Sequence, residues 1–230
     1  GDGNARALME AAGLPIAAPS ANTSGRPSPT EARHVAEDLG GKIDMILDGG
    51  AVAVGLESTI VDLSGSVPTL LRPGAITVEM LEEVLGKVQL DPVLKTPLAP
   101  GMHPKAPGMK YRHYAPQAEM YLVDGAPEAV IRLVNKRAAN AKERGERVGV
   151  LAASETAGAY CADAVFQLGQ REKPEEIAHN LFAALREMDA QGVKLIYAEA
   201  FPESGVGLAI MNRMNKAAGH HWLHAGEESE

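Results

Sequence analysis

The stretch from Gln89 to Gln117 sets the organisation of this chain. It carries six prolines, no apolar period, and four Lys or Arg against one Asp. Proline fixes φ and lacks an amide donor, so neither a helix nor a central strand runs through such a segment. It reads as a semi-rigid linker in partly polyproline II conformation. The chain then divides into an α/β unit over 1–88, the linker over 89–117, a second α/β unit over 118–224 and a tail over 225–230.

Charge sharpens that division. Residues 1–88 hold six Lys or Arg against twelve Asp or Glu, and residues 118–230 hold twelve against seventeen. The linker alone is basic. Proteins built to grip a nucleic-acid backbone show a broad basic face, so stable nucleic-acid binding is not expected. A short basic segment between two acidic units suits a compact anionic ligand instead. The single cysteine, Cys161, excludes an internal disulfide and fits a reducing, cytoplasmic setting. No apolar run approaches membrane-spanning length, so no membrane partner is expected.

The first unit is arranged around the loop Pro15–Thr30, PIAAPSANTSGRPSPT. It strings together hydroxyl and amide side chains that bind phosphate or carboxylate, and its four prolines limit its freedom in advance. Before it, Asn4–Ala12 reads as an amphipathic helix stopped by Gly13, and Ile16–Ala18 as a short strand. After it, Ser28 reads as an N-cap, with Pro29 at the first helical position and Glu31 closing a capping box. That helix runs to Leu39, its N-terminus facing the loop. Strands are expected at Ile43–Leu47, Thr59–Leu63 and Thr69–Leu71, and a helix capped by Thr77 through Leu85. The result is a mixed-sheet α/β unit. Ser58 and Arg72 both stand at strand ends, which points to one shared cleft. Each also reads as structural, Ser58 as a turn hydroxyl and Arg72 as a surface charge.

Within the linker, Lys110-Tyr111-Arg112-His113-Tyr114 concentrates cations and aromatic rings. Such a cluster stacks on a base and meets phosphates, or else anchors the linker to a domain surface. The second unit alternates strands at Met120–Val123, Val148–Ala152, Ala164–Leu168 and Leu195–Glu199 with helices near Glu128–Arg144, Pro174–Ala190 and Gly207–Ala218. It reads as a small Rossmann-like open sheet without a GxGxxG fingerprint, so no dinucleotide cofactor is expected. Ser204–Gly207 opens the last helix and offers a site for an anion. His220, His221 and His224 have metal-like spacing but no Cys or carboxylate between them, and read as a frayed tail. No metal ligand set and no nucleophile triad stand out.

Four motifs occur in order: APSANTSGRPSPT, GLESTIVDL, LRPGAIT and APGMKYRHYAP. Together they resemble the threonylcarbamoyl-AMP synthases of the YrdC-like superfamily, in the longer form with a C-terminal domain. The resemblance covers residue 5 to about residue 223. It implies formation of threonylcarbamoyl-adenylate and pyrophosphate from L-threonine, bicarbonate and ATP, with Mg2+ accompanying the nucleotide. The product would pass to a tRNA-modifying threonylcarbamoyl transferase. Carried over by position, the resemblance places Ser20, Asn22, Ser28, Arg72 and Tyr111 on ATP, and Ala18 and Ser58 on threonine. No residue is implied as a covalent catalyst, since the amine of threonine is itself the nucleophile.

The family's first half of the catalytic domain, with its Lys/Arg motif for triphosphate, finds no counterpart in this sequence. The expectation is a fragment with little synthase activity alone and an uncovered sheet edge. The alternatives are a non-catalytic nucleotide-binding or tRNA-binding module, and carbamoyl transfer to another acceptor.

Overall fold

The computed structural model describes residues 2–94, 105–106 and 114–226. The first unit opens with α1 (Gly3–Ala12), which Asp2 caps by accepting the Ala5 amide and which Gly13 ends in the left-handed region. The polar loop follows in extended and turn conformation, and α2 spans Ala32–Leu39. A small sheet then forms from β1 (Ile60–Asp62) and β2 (Thr69–Arg72), which run antiparallel. The helix α3 (Val78–Leu85) starts at Thr77, whose hydroxyl accepts the Met80 amide. Last comes β3 (Gln89–Leu90), parallel to β2. The sheet is therefore mixed, as the sequence predicts, but its third strand lies inside the stretch read as linker.

Two predicted strands are absent. Ile16–Ala18 and Ile43–Leu47 carry no ladder among the described residues, and Ile16, Ile43, Met45, Ile46 and Leu47 are exposed. A strand exists only where a neighbour satisfies its backbone groups, and β-branched composition does not supply one.

The second unit alternates β4 (Glu119–Gly125), α4 (Pro127–Glu143), β5 (Val148–Ala153), β6 (Ala164–Gly169), α5 (Pro174–Ala190), β7 (Leu195–Glu199), α6 (Val206–Ala217) and β8 (Trp222–Ala225). All its strands pair in parallel, in the order β6-β5-β7-β4-β8. In the dinucleotide-binding order the first two strands would be neighbours, whereas here β7 separates β5 from β4.

The inner strands β5 and β7 are buried on both faces, as a parallel sheet requires. Val148, Val150 and Ala152 of β5 face α4, while Leu151 and Ala153 face α5 and α6. The expectation of a frayed tail around the histidines is wrong. β8 adds a fifth strand beside β4, the Leu122 amide donates to the His221 carbonyl, and His224 Nδ1 lies 2.6 Å from Asp124. Polar side chains hid an edge strand, where one face meets water. Among the described residues, no helix is long and apolar enough to cross a membrane.

The described parts of the linker pack closely. Lys105 pairs with buried Asp91 at 3.0 Å, and Ala106 is buried against Leu71. Tyr114 is 1% exposed and stacks on Phe182 of α5 with ring centroids 5.1 Å apart. For Tyr114, anchoring is the role the geometry shows. Lys110, Tyr111, Arg112 and His113 lie outside the described residues.

Candidate functional site

The polar loop and the turn before β1 enclose a cavity of about 240 Å³. Ser20, Ser28 and Thr30 line one wall, and Gly55, Leu56 and Glu57 the other; Phe182 of α5 closes the floor. Two carboxylates hold this loop in place, and neither is evident as a site residue from sequence.

Glu57 is the first. Its Oε1 accepts the Ser28 hydroxyl at 2.7 Å, and its Oε2 meets Arg213 Nε of α6 at 3.0 Å. Burial pushes the Glu57 carboxyl up, but the Arg213 charge and the Ser28 hydroxyl outweigh it and hold the group below its ordinary value. Glu57 is thus a carboxylate, able only to accept. The one proton of Ser28 goes to it, and the lone pairs of Ser28 are left for the cavity. Ser28 is not the helix cap that the capping-box pattern predicts. The helix begins at Ala32, three residues beyond the expected Pro29; Glu31 occupies its N-cap without a side-chain capping bond, its carboxylate accepting from Arg33 Nε at 2.8 Å.

Asp38, at the end of α2, is the second. It accepts the Thr23 amide at 3.0 Å and the Arg26 guanidinium from the loop. From the other side it takes Arg186 of α5 at 2.8 Å. The Arg186 hydrogen bond, the largest cause, holds its carboxyl below the ordinary value. Arg186 also donates to the Pro27 carbonyl at 2.7 and 3.1 Å. The Asn22 amide nitrogen ties the loop internally through the Thr23 and Arg26 carbonyls, while its buried oxygen has no partner among the described residues.

Arg72 and Ser58 do lie together. Arg72 Nε donates to the Ser58 carbonyl at 2.9 Å, so the two strand ends meet through backbone rather than through the serine hydroxyl. Neither lines the cavity of Ser20 and Ser28, and neither does Ala18, which is exposed in extended chain. Two glycines make the turns possible. A Cβ on Gly55 would stand 2.2 Å from the His179 carbonyl oxygen of α5, and one on Gly74 2.5 Å from the Thr59 amide.

Elsewhere the sequence-flagged features find ordinary partners. The Ser204–Gly207 turn at the start of α6 closes on itself, the Gly207 amide donating to the Ser204 carbonyl at 2.9 Å. A larger cavity, about 350 Å³, opens at the C-terminal ends of β4 and β7, but no predicted site residue lines it. There Arg171 is committed to Glu199 and to the Ala200 carbonyl, over the Phe201 ring. Among the described residues no group of three His, Cys, Asp or Glu converges to hold a metal.

A stiff polar loop, braced by arginines from helices α5 and α6 of an open parallel-sheet unit, defines a two-part α/β protein. Comparison with known proteins supplies the family. A model described as "Threonylcarbamoyl-AMP synthase, C-terminal domain" matches residues 76–219, and one described as "Telomere recombination" matches residues 2–74. The Threonylcarbamoyl-AMP synthase of Pyrococcus abyssi is 50% identical over 93% of this chain and 60% of its own length. That of Bacillus subtilis is 49% identical over 94% of this chain and 60% of its own length. The crystal structure of P. abyssi Sua5 complexed with L-threonine superposes with a TM-score of 0.85 at 49% identity, covering 94% of this chain and 62% of that one.

The chain belongs to the threonylcarbamoyl-AMP synthase family. It spans about 60% of the length of the curated relatives it matches. The expectation of a missing catalytic half gains no support from the family models, since models of both parts match.

Proposed function

We propose that this chain works as an L-threonylcarbamoyladenylate synthase, joining L-threonine, bicarbonate and ATP and releasing pyrophosphate. The observation that carries the reading is the cavity where Ser20, Ser28 and Glu57 converge beside Asn22, within a chain half identical to proteins of that name. The P. abyssi relative was crystallised with L-threonine, which supports the amino-acid substrate.

In this reading the threonine amine attacks the carbon of CO2 and loses a proton, or that of bicarbonate with expulsion of water, giving a carbamate. A carbamate oxygen then attacks the α-phosphorus of ATP in line. A P–O bond forms, the bond from the α-phosphorus to the α,β-bridging oxygen breaks, and pyrophosphate leaves. The substrate supplies the nucleophile, so the protein positions groups and stabilises phosphate charge. Arg72 provides fixed positive charge at the phosphates. Ser28, its proton on Glu57, accepts from a ribose hydroxyl of the AMP moiety. Ser20, Asn22 and Tyr111 complete the nucleotide side, and Ala18 and Ser58 the threonine side. Mg2+ enters with ATP as part of the substrate, its ligands the phosphate oxygens.

The product is a mixed anhydride, consumed in the cytoplasm by a transferase that places the threonylcarbamoyl group on tRNA. The test is pyrophosphate release by this chain with ATP, threonine and bicarbonate, each omitted in turn. Release requiring all three supports the reading. ATP binding without any release overturns it in favour of a non-catalytic nucleotide module.

A further inference from the structure

Arg213 lies on α6, among Ala209, Ile210, Met211 and Met214, and is itself 0% exposed. Enclosing a guanidinium there is costly unless its donors are met. The partners that meet them come almost wholly from the first unit: Glu57 Oε2 at 3.0 Å, the Glu57 carbonyl at 3.3 Å and the Pro73 carbonyl at 2.8 Å. Only Asn212 Oδ1, at 3.2 Å, is local. The Tyr114 ring covers the group, its centroid 5.7 Å away. A guanidinium is planar and rigid, so it fixes the distance between the groups it bridges. Those groups belong to two motifs, GLEST through Glu57 and LRPG through Pro73.

We propose that Arg213 is a positioning residue for the nucleotide site. Through Glu57 it orients the Ser28 hydroxyl, and through the Pro73 carbonyl it places the turn that begins at Arg72. Arg186 does the same for the far side of the loop through Pro27 and Asp38. The second unit thereby sets the shape of a site whose ligand-facing residues lie in the first. That these residues face ATP rests on the reading under Proposed function; that Arg213 orders them does not.

Two variants test this, Arg213→Lys and Glu57→Gln. Lysine keeps a charge but cannot bridge two motifs with one rigid plane, and glutamine keeps the shape of Glu57 without its charge. Amide hydrogen exchange on the ligand-free chain is the first readout. Backbone amides at 20–28 and 74–76 are expected to exchange roughly tenfold faster or more in both variants, the equivalent of losing one charged hydrogen bond. Amides of β5 and β7 should be unchanged, which also shows that the variants fold. Where Arg213→Lys fails to fold, Glu57→Gln decides alone.

The second readout is pyrophosphate release at varied ATP. KM for ATP is expected to rise about tenfold or more while kcat falls less, as misplacement of a binding group predicts. Unchanged exchange in the loop and turn overturns the proposal. So does an unchanged KM for ATP in both variants when the parent chain turns over. A parent chain without turnover counts against the functional reading only, and the exchange experiment still decides this one.

Discussion

Arg186 and Asp38 form a closed ion pair, 2.8 Å apart, with side chains 2% and 0% exposed. Each side chain also binds the polar loop, Asp38 through the Thr23 amide and Arg186 through the Pro27 carbonyl. The pair is thus a structural joint between α5, α2 and the loop.

Opening this joint from one side leaves a buried charge without its partner. Arg186→Met or Asp38→Asn is predicted to cost about 3–5 kcal/mol of unfolding free energy, whereas the double variant costs less than the sum. Denaturant unfolding of the three proteins, combined as a double-mutant cycle, measures the coupling. Additive losses would show that the pair is not the joint described.

Acid should release the loop before it disturbs the parallel sheet. Asp38 and Glu57 both titrate below their ordinary values of 3.8 and 4.5 in the folded chain. A carboxyl lowered on folding adds stability that is complete above its unfolded pKa and is lost as pH falls through the folded one. The contribution of these two carboxyls is therefore predicted to be complete above about pH 5 and to be lost below it. Asp38→Asn should remove part of that loss. Unfolding midpoints from pH 6 to pH 3 check it.

Lys216 predicts the alkaline side. Burial, reinforced by Arg213, brings its pKa down from 10.5 to about 8. Between those values the unfolded chain holds a proton that the folded chain has released, so stability rises with pH across this window. Lys216→Met removes the titrating group, and its stability should be flatter from pH 8 to pH 10. An identical slope in the two proteins would assign the rise to other groups.

Gly55→Ala is expected to lift the GLEST turn from α5, since the new Cβ meets the His179 and Ala178 carbonyl oxygens at 2.2 and 2.3 Å. Overpacking of this kind costs about 1–3 kcal/mol. The shift moves Glu57, so KM for ATP should rise together with the loss of stability. Gly158→Ala, where a Cβ meets nothing within 4 Å, is the control and should leave both unchanged.

What the sequence shows of this fold follows from how local each feature is. The second unit's helices, the Thr77 cap and the Gly13 stop are written in neighbouring residues, and each is found within a residue or two of its expected place. Ser28 fails as a cap because α2 begins only at Ala32, while the Ser28 hydroxyl is turned to a carboxylate 29 residues away, and the local pattern carries no trace of that contact. The strands at 16–18 and 43–47 fail because pairing is a property of two segments. The two arginines were legible in part. Arg186 interrupts the buried face of α5 between Leu185 and Met188, and Arg213 stands between Met211 and Met214 in α6. A charge inside an apolar stripe announces a buried partner, though not which one. Glu57 and Asp38 gave no such sign, each being one acidic residue in an acidic unit.

The loop's fasteners also have an order in time. Pro27 waits for Arg186, 159 residues further along, and Glu57 waits for Arg213, 156 residues further along. At about 5–20 residues per second, a ribosome takes on the order of 8–30 s to cover that distance. During that interval the nascent loop has neither guanidinium, and the first unit leaves the tunnel with its cavity unfastened. The cavity accordingly takes its braced shape only after α6 has been synthesised.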